Sequence, residues 1–293
     1  MKPTRTFTSD RDLRDGVRTG CRAVAGLGGI VQLVGAGPGD PELLTMKAVR
    51  AIGMASVIVY DRLVSDEILA LAPPHARLID VGKTPGHHPV PQDEISQLLI
   101  SLARGGGRIV RLKGGDPFMF GRGGEEAIAL ATAGIAFEVV PGITSAQGCA
   151  ASLKVPLTHR DVATGVRFLT GHRRDGEALD FDWPGLSDSS TTLVVYMGLA
   201  NIDEIASQLI AHGRDGETPV LAVASATRAD EVQLSSTLSR IAGDVRRARM
   251  QAPVLFVIGE VAGLAAVMQR AITLAEVPDQ HCEEREGSRV AVG

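Results

Sequence analysis

The sequence is poor in aromatic residues, in cysteine and in long apolar runs. Phe, Trp and Tyr make up 3% of the 293 residues. Any core must therefore be aliphatic, as in parallel sheets covered by helices, and an apolar content of 44% supplies the material. The three cysteines, Cys21, Cys149 and Cys282, are odd in number and far apart. They fit neither a disulfide framework nor a zinc site, and they suit a reducing cytoplasm. No run of some eighteen apolar residues occurs, so no membrane span is expected. The stretch 23–37 follows Arg22 but starts late and holds Gln32, and it reads as a linker and a first strand rather than a signal core. Net charge is −4 with no polybasic block, which disfavours nucleic acid as a partner. Adjacent His87 and His88 have no acid or cysteine at ligand spacing, so no metal is expected.

What is present is an alternation of apolar strand patterns with helical ones. Strands are expected at 30–34, 56–60, 78–81, 109–112 and 137–140. Helices are expected at 45–52 with Thr45 as N-cap, at 66–71, 93–103 and 125–133. This βαβ order implies a parallel sheet. Pro141-Gly142 marks a break, followed by a small-residue helix at 145–153. A second set of strands follows at 166–170, 192–197, 219–224, 231–238 and 253–258, with a helix at 201–212 that stops at Gly213. The alternating strand 231–238 beside the turn Arg228-Ala229-Asp230 suggests an antiparallel piece in a mixed sheet. The expectation is two α/β/α domains, 29–143 and 144–276, with a cleft between them. A flexible extension, 1–28, and a flexible tail, 277–293, flank them.

The loops after the strands carry the chemistry. Gly35-Ala36-Gly37-Pro38-Gly39-Asp40 is similar to a dinucleotide fingerprint, with Asp61 about twenty residues on. Asp40 at the third glycine position and Pro38, which removes a donor, count against that reading. Asp61, in Tyr60-Asp61-Arg62-Leu63-Val64, is either an N-cap paired with Arg62 or a general acid/base. Lys83, in Val81-Gly82-Lys83, suits an anion. The run from Lys113 to Glu126, with five glycines, hands a strand over to a helix and exposes Arg122 for a carboxylate. Glu125 and Glu126 favour the first turn of that helix. Thr144 is an N-cap or a hydroxyl for a ligand. His159 and Arg160 form a further basic loop. Each motif alone has a structural reading. Together they converge on one edge, where a cleft would bind.

Taken in order, the segments 34–41, 60–64, 81–83, 110–126, 140–144, 156–160, 170–172 and 196–198 resemble the tetrapyrrole methylase family, in particular its members that act on uroporphyrinogen III. The resemblance runs from about residue 30 to 263. It implies two α/β domains, a homodimer, and S-adenosylmethionine bound folded in the cleft. The implied donor residues are Pro38, Gly114, Gly115, Asp116, Met119, Thr144, Ser145, Met197 and Ala226. The implied reaction is methylation of two ring carbons (C2 and C7), giving precorrin-2 and S-adenosylhomocysteine. Catalytic roles carry over to Asp61, Lys83, Arg122, Glu125 and Arg160. A rim of Lys83, Lys113, Arg122, His159 and Arg160 is expected to meet the substrate's carboxylates.

Methylases of the same fold that act on later corrin intermediates, ribosomal RNA or diphthamide precursors share the first loop and a Gly-Asp-Pro, but not the full pattern. Thr84-Pro85, Ala226 and Glu231 depart from what is usual at those places, which bears on the adenine end. No dehydrogenase/chelatase module precedes residue 30, so a monofunctional enzyme is expected. A later corrin intermediate as acceptor, and a binding or carrier module, remain the alternatives.

Overall fold

The computed structural model describes residues 29–82, 90–172 and 179–268. The expected extension and tail, Lys83, and His87-His88 lie outside these residues.

Two five-stranded sheets organise the chain. The first holds β1 (Ile30–Gly35), β2 (Val57–Tyr60), β3 (Arg77–Asp80), β4 (Arg108–Lys113) and β5 (Phe137–Val140) in the order β3-β2-β4-β1-β5. Every pairing is parallel, so all five carboxyl ends share one edge. Side chains alternate between the faces, as the pleat requires. Ile58, Val110 and Leu112 pack with Ala48, Ile52 and Ile68 of helices Met46–Gly53 and Asp66–Leu69. Val31, Leu33 and Ile109 pack on the other face with Leu99 and Leu130 of Gln92–Arg104 and Gly123–Thr132.

The second sheet runs β6 (Gly165–Thr170), β7 (Thr191–Tyr196), β10 (Val254–Ile258), β8 (Pro219–Ala224) and β9 (Val232–Thr237). Only β6 and β7 are parallel; β10 runs against both neighbours, and β9 against β8. The antiparallel piece at 231–238 is present, and the mixed sheet extends through β10 as well. Helices Ile202–Ala211 and Ile241–Arg247 cover one face through Ile205, Leu209, Ile241 and Val245. Ser145–Leu153 covers the other through Ala146, Cys149 and Leu153.

Local signals act as the sequence suggests. Thr45 caps its helix by accepting from Ala48 N at 3.1 Å. Gly213 follows its helix at φ +103°, a conformation glycine reaches without penalty. Among the described residues no helix is long and apolar enough to cross a membrane.

Candidate functional site

Strands β1 and β4 are neighbours whose chains continue to opposite sides of the sheet, which makes a switch point at their carboxyl ends. Their two glycine loops are bonded to each other there. Gly37 N donates to Gly115 O at 3.1 Å, and Gly115 N to Gly37 O at 2.7 Å. The Pro141-Gly142 loop lies against both. A Cβ on Gly142 would fall 2.2 Å from Gly115 O, and one on Gly35 would fall 2.5 Å from Gly142 N. Three backbones therefore touch, and only glycine permits it. Asp116 ties the same loops, with Oδ1 accepting from Phe118 N at 2.8 Å and Oδ2 from Gly142 N at 3.1 Å.

Above this floor is a cleft of about 980 Å³, part of it open to solvent. One wall comes from the first sheet and includes Pro38, Asp61, Gly114, Gly115, Asp116 and Met119. Thr144 and Ser145 stand at the seam, at the start of Ser145–Leu153. The opposite wall holds Met197 after β7, Ala226 after β8, and Pro253 to Leu255 at the start of β10. All nine residues that the resemblance assigns to the donor thus line one space, and so does Asp61.

Of the remaining expected site residues that are described, Lys113 also touches the cleft wall although its side chain is buried, and the others lie outside it. Arg122 is exposed, but it is not open to fork onto a ligand as it stands. Its Nε and Nη2 already bind Glu125 at 3.0 and 2.6 Å, and that pairing raises the guanidinium pKa. Neither residue lines the cleft. Arg160 and His159 are exposed on a loop closed by the His159–Ala163 bridge, and they do not line it either. Lys113 is not a rim residue. Its side chain is 3% exposed and its Nζ donates to Glu126 Oε1 at 3.0 Å. Strand β4 is covered on both faces beyond Arg108, so Arg111 and Lys113 are buried. Burial, then Arg111, lowers the Lys113 pKa against the pull of Glu126.

Asp61 does not cap the following helix. Its Oδ1 accepts from Leu63 N at 3.1 Å, within its own turn, and its Oδ2 pairs with Arg111 rather than Arg62. Thr144 makes no capping bond; its hydroxyl bonds the Tyr196 hydroxyl. Glu125 and Glu126 both stand in the first turn of Gly123–Thr132, as expected, and Glu126 is fully buried there.

Tyr196 is the main residue that sequence reasoning passed over in favour of its neighbour Met197. Its hydroxyl also accepts from Ala146 N at 3.1 Å, and its ring lies 5.0 Å from that of Phe120, which comes from the first half. The phenol thus joins the two walls. Burial raises its pKa, so the hydroxyl keeps its proton at neutral pH. Phe120, Met197 and Ser225 line the cleft at φ 53°, 54° and 51°. Such conformations cost about 1–3 kcal/mol each and collect at functional sites. The Cys149 thiol is buried and pushed up to about 12, so it is not a nucleophile. Among the described residues no cluster of three His, Cys, Asp or Glu could hold a metal ion.

Comparison with known proteins gives a consistent result. A family model described as Tetrapyrrole (Corrin/Porphyrin) Methylases matches residues 31–242. The chain is 54% identical to a uroporphyrinogen-III C-methyltransferase of Paracoccus denitrificans, over 86% of this chain and 88% of that one. It is 51% identical to a siroheme synthase of Stutzerimonas stutzeri over 80% of this chain, but that match spans only 50% of the relative. Among solved structures, a uroporphyrin-III C-methyl transferase from Thermus thermophilus, complexed with S-adenyl homocysteine, is 42% identical with a TM-score of 0.70. The match covers 80% of this chain and 100% of that one.

Proposed function

The chain belongs to the tetrapyrrole (corrin/porphyrin) methylases, and from that premise we propose that it methylates two ring carbons of uroporphyrinogen III with S-adenosylmethionine, giving precorrin-2 and S-adenosylhomocysteine. The observation that carries the reading is the single cleft lined by all nine residues carried over to the donor, with Asp61 beside them. The donor fits this space. A floor of glycine backbone lets adenosine lie close, and the Thr144, Ser145 and Ser225 hydroxyls and the Asp116 carboxylate offer partners to ribose and ammonium. The donor supplies a methyl group that is already electrophilic. The protein's part is alignment, which is worth several powers of ten in rate, and management of the ring proton that each methyl replaces.

Asp61 takes the acid/base role, because it is a carboxylate on the cleft wall. Arg122, Arg160 and His159 meet the acceptor's carboxylates from outside the donor space, and the resemblance assigns Lys83 to the same rim. Glu125 sets the orientation of the Arg122 fork. We further place the domain division at 143/144, and the enzyme in the cytoplasm as a homodimer, which size-exclusion chromatography with light scattering checks.

The test is anaerobic incubation with S-adenosylmethionine and uroporphyrinogen III, followed by product mass. A gain of two methyl groups is expected. Intact binding of S-adenosylhomocysteine with no methylated tetrapyrrole would overturn the substrate assignment. Methylation of a later corrin intermediate alone would transfer the site to that substrate.

A further inference from the structure

Behind the cleft wall lies a charged cluster that the donor and acceptor assignments do not use. Arg111 and Lys113 are two residues apart on β4 and so leave the same face of the sheet. That face is covered by helices Gln92–Arg104 and Gly123–Thr132. There they meet Glu126, which is 0% exposed. Its Oε1 accepts from Arg111 Nε at 3.1 Å, Lys113 Nζ at 3.0 Å and Gln92 Nε2 at 3.0 Å. Its Oε2 has no hydrogen-bond partner among the described residues. Arg111 Nη1 donates to the carbonyls of Leu112, at 3.1 Å, and Val59, at 3.4 Å. Its Nη2 reaches outward to Asp61 Oδ2 at 3.5 Å.

The four ionic groups balance formally, two cations against two carboxylates. Three are sealed: the side chains of Arg111, Lys113 and Glu126 are at most 3% exposed, whereas that of Asp61 is 26% exposed and on the cleft wall. Burying such a set costs much of what the pairing returns, and apolar replacements of equal volume are often no less stable. Stability alone is therefore a poor account of it. The geometry is that of a bracket: Glu126 fixes the near side of a guanidinium whose far side holds Asp61.

We propose that Arg111, locked by Glu126, is a positioning residue that holds the Asp61 carboxylate toward the cleft, so that Glu126 governs the charge behaviour of a group it does not touch. This deepens, and rests on, the reading of the cleft as a methyl-transfer site. Among the described residues, the charged groups around Asp61 are Arg111 and Lys113 on β4, with Glu126 behind them, and Arg228 across the cleft. Asp80 on β3 is engaged by Gly82 N at 2.7 Å.

The test reads the Asp61 carboxyl directly, by 13C NMR titration of aspartate-labelled full-length protein, with Asp61→Asn identifying the signal. Removing the cation in Arg111→Met is expected to move the titration up. Removing the buried anion in Glu126→Gln leaves the cations in excess and moves it down. Arg111→Lys, which keeps the charge, restores the wild-type midpoint while turnover stays about tenfold low. S-adenosylhomocysteine affinity remains within about twofold in every variant, which also reports folding.

Opposite shifts support the bracket. Shifts of one sign in both variants, or no shift, overturn it, since a loosened fold would not move one titration in two directions. If Arg111→Met fails to fold, the downward shift in Glu126→Gln and the rescue by Arg111→Lys decide the matter. Because the titration needs no turnover, an enzyme that methylates no uroporphyrinogen III would sink the substrate assignment and leave this inference standing or falling on its own.

Discussion

The two walls of the cleft are built by different kinds of sheet, and they bring different chemistry. The first sheet is all parallel, so five strand ends and their loops meet at one edge. Asp61, Lys113 and Asp116 all reach the cleft from there. In the second sheet β10 runs backwards between β7 and β8. It meets the cleft with its beginning, Pro253 to Leu255, and so with apolar residues. Among the described residues, that wall adds Val223, Met197 and Ala226, the hydroxyls of Tyr196 and Ser225, and one permanent charge, Arg228. Parallel topology concentrates ionisable groups, and an inserted antiparallel strand dilutes them. On the proposed reading, proton handling belongs to the first half and apolar contact to the second.

The hardest test of this contrast is at the floor. Gly142→Ala drives a methyl into Gly115 O and is expected to cost about 3 kcal/mol or more, with donor binding lost, as denaturant titration and calorimetry will show. Stability and donor affinity close to wild type would mean that the three loops are not a rigid unit. Next comes the proton-handling side. Asp61→Ala should lower kcat roughly 100-fold while S-adenosylhomocysteine affinity stays nearly constant. Equal losses in both would place Asp61 in donor binding and blur the division between the walls.

On the apolar side the effects are smaller. Tyr196→Phe removes the bonds to Thr144 and Ala146 and should weaken donor binding by about 1 kcal/mol, leaving the pH profile of turnover unmoved. A shifted profile would give the second wall a role in proton transfer. Smallest of all in stability is Arg122→Ala, because its ion pair with Glu125 is solvent-exposed and such pairs contribute at most about 1 kcal/mol. Its effect should appear in KM for the tetrapyrrole and not in donor affinity.

Much of this was legible in the sequence, for reasons that can be located. Strand 219–224 reads clearly because a central strand covered on both faces is a continuous apolar run. Thr45 and Gly213 read clearly because capping depends on local geometry alone. The short helices Trp183–Leu186, Ile241–Arg247 and Glu260–Gly263 were not foreseen, since one or two turns hold too few residues for a period to show. The residues that the resemblance assigns to the donor gather in one place because each follows a strand. Pro253 to Leu255 escaped notice because their strand is antiparallel and no loop motif precedes it. Lys113 was expected outside and is inside. A cation at i+2 from Arg111 on a doubly covered strand, with Glu126 in the next helix, was the available signal.

The contact of Gly35, Gly115 and Gly142 has one more consequence. A surface made of main chain is hard to recarve one side chain at a time: a Cβ at Gly35 or Gly142 blocks the approach of the loops, and at Gly115 a φ of +68° disfavours any other residue. The depth at which a nucleoside settles is in that sense a constant of the architecture. The walls carry no such restriction. Exchanging residues at 119, 197 or 255 reshapes the space without disturbing its base. An engineer wishing to retarget this scaffold would therefore keep the loops as a fixed socket for one reagent and redraw the opposite face for another.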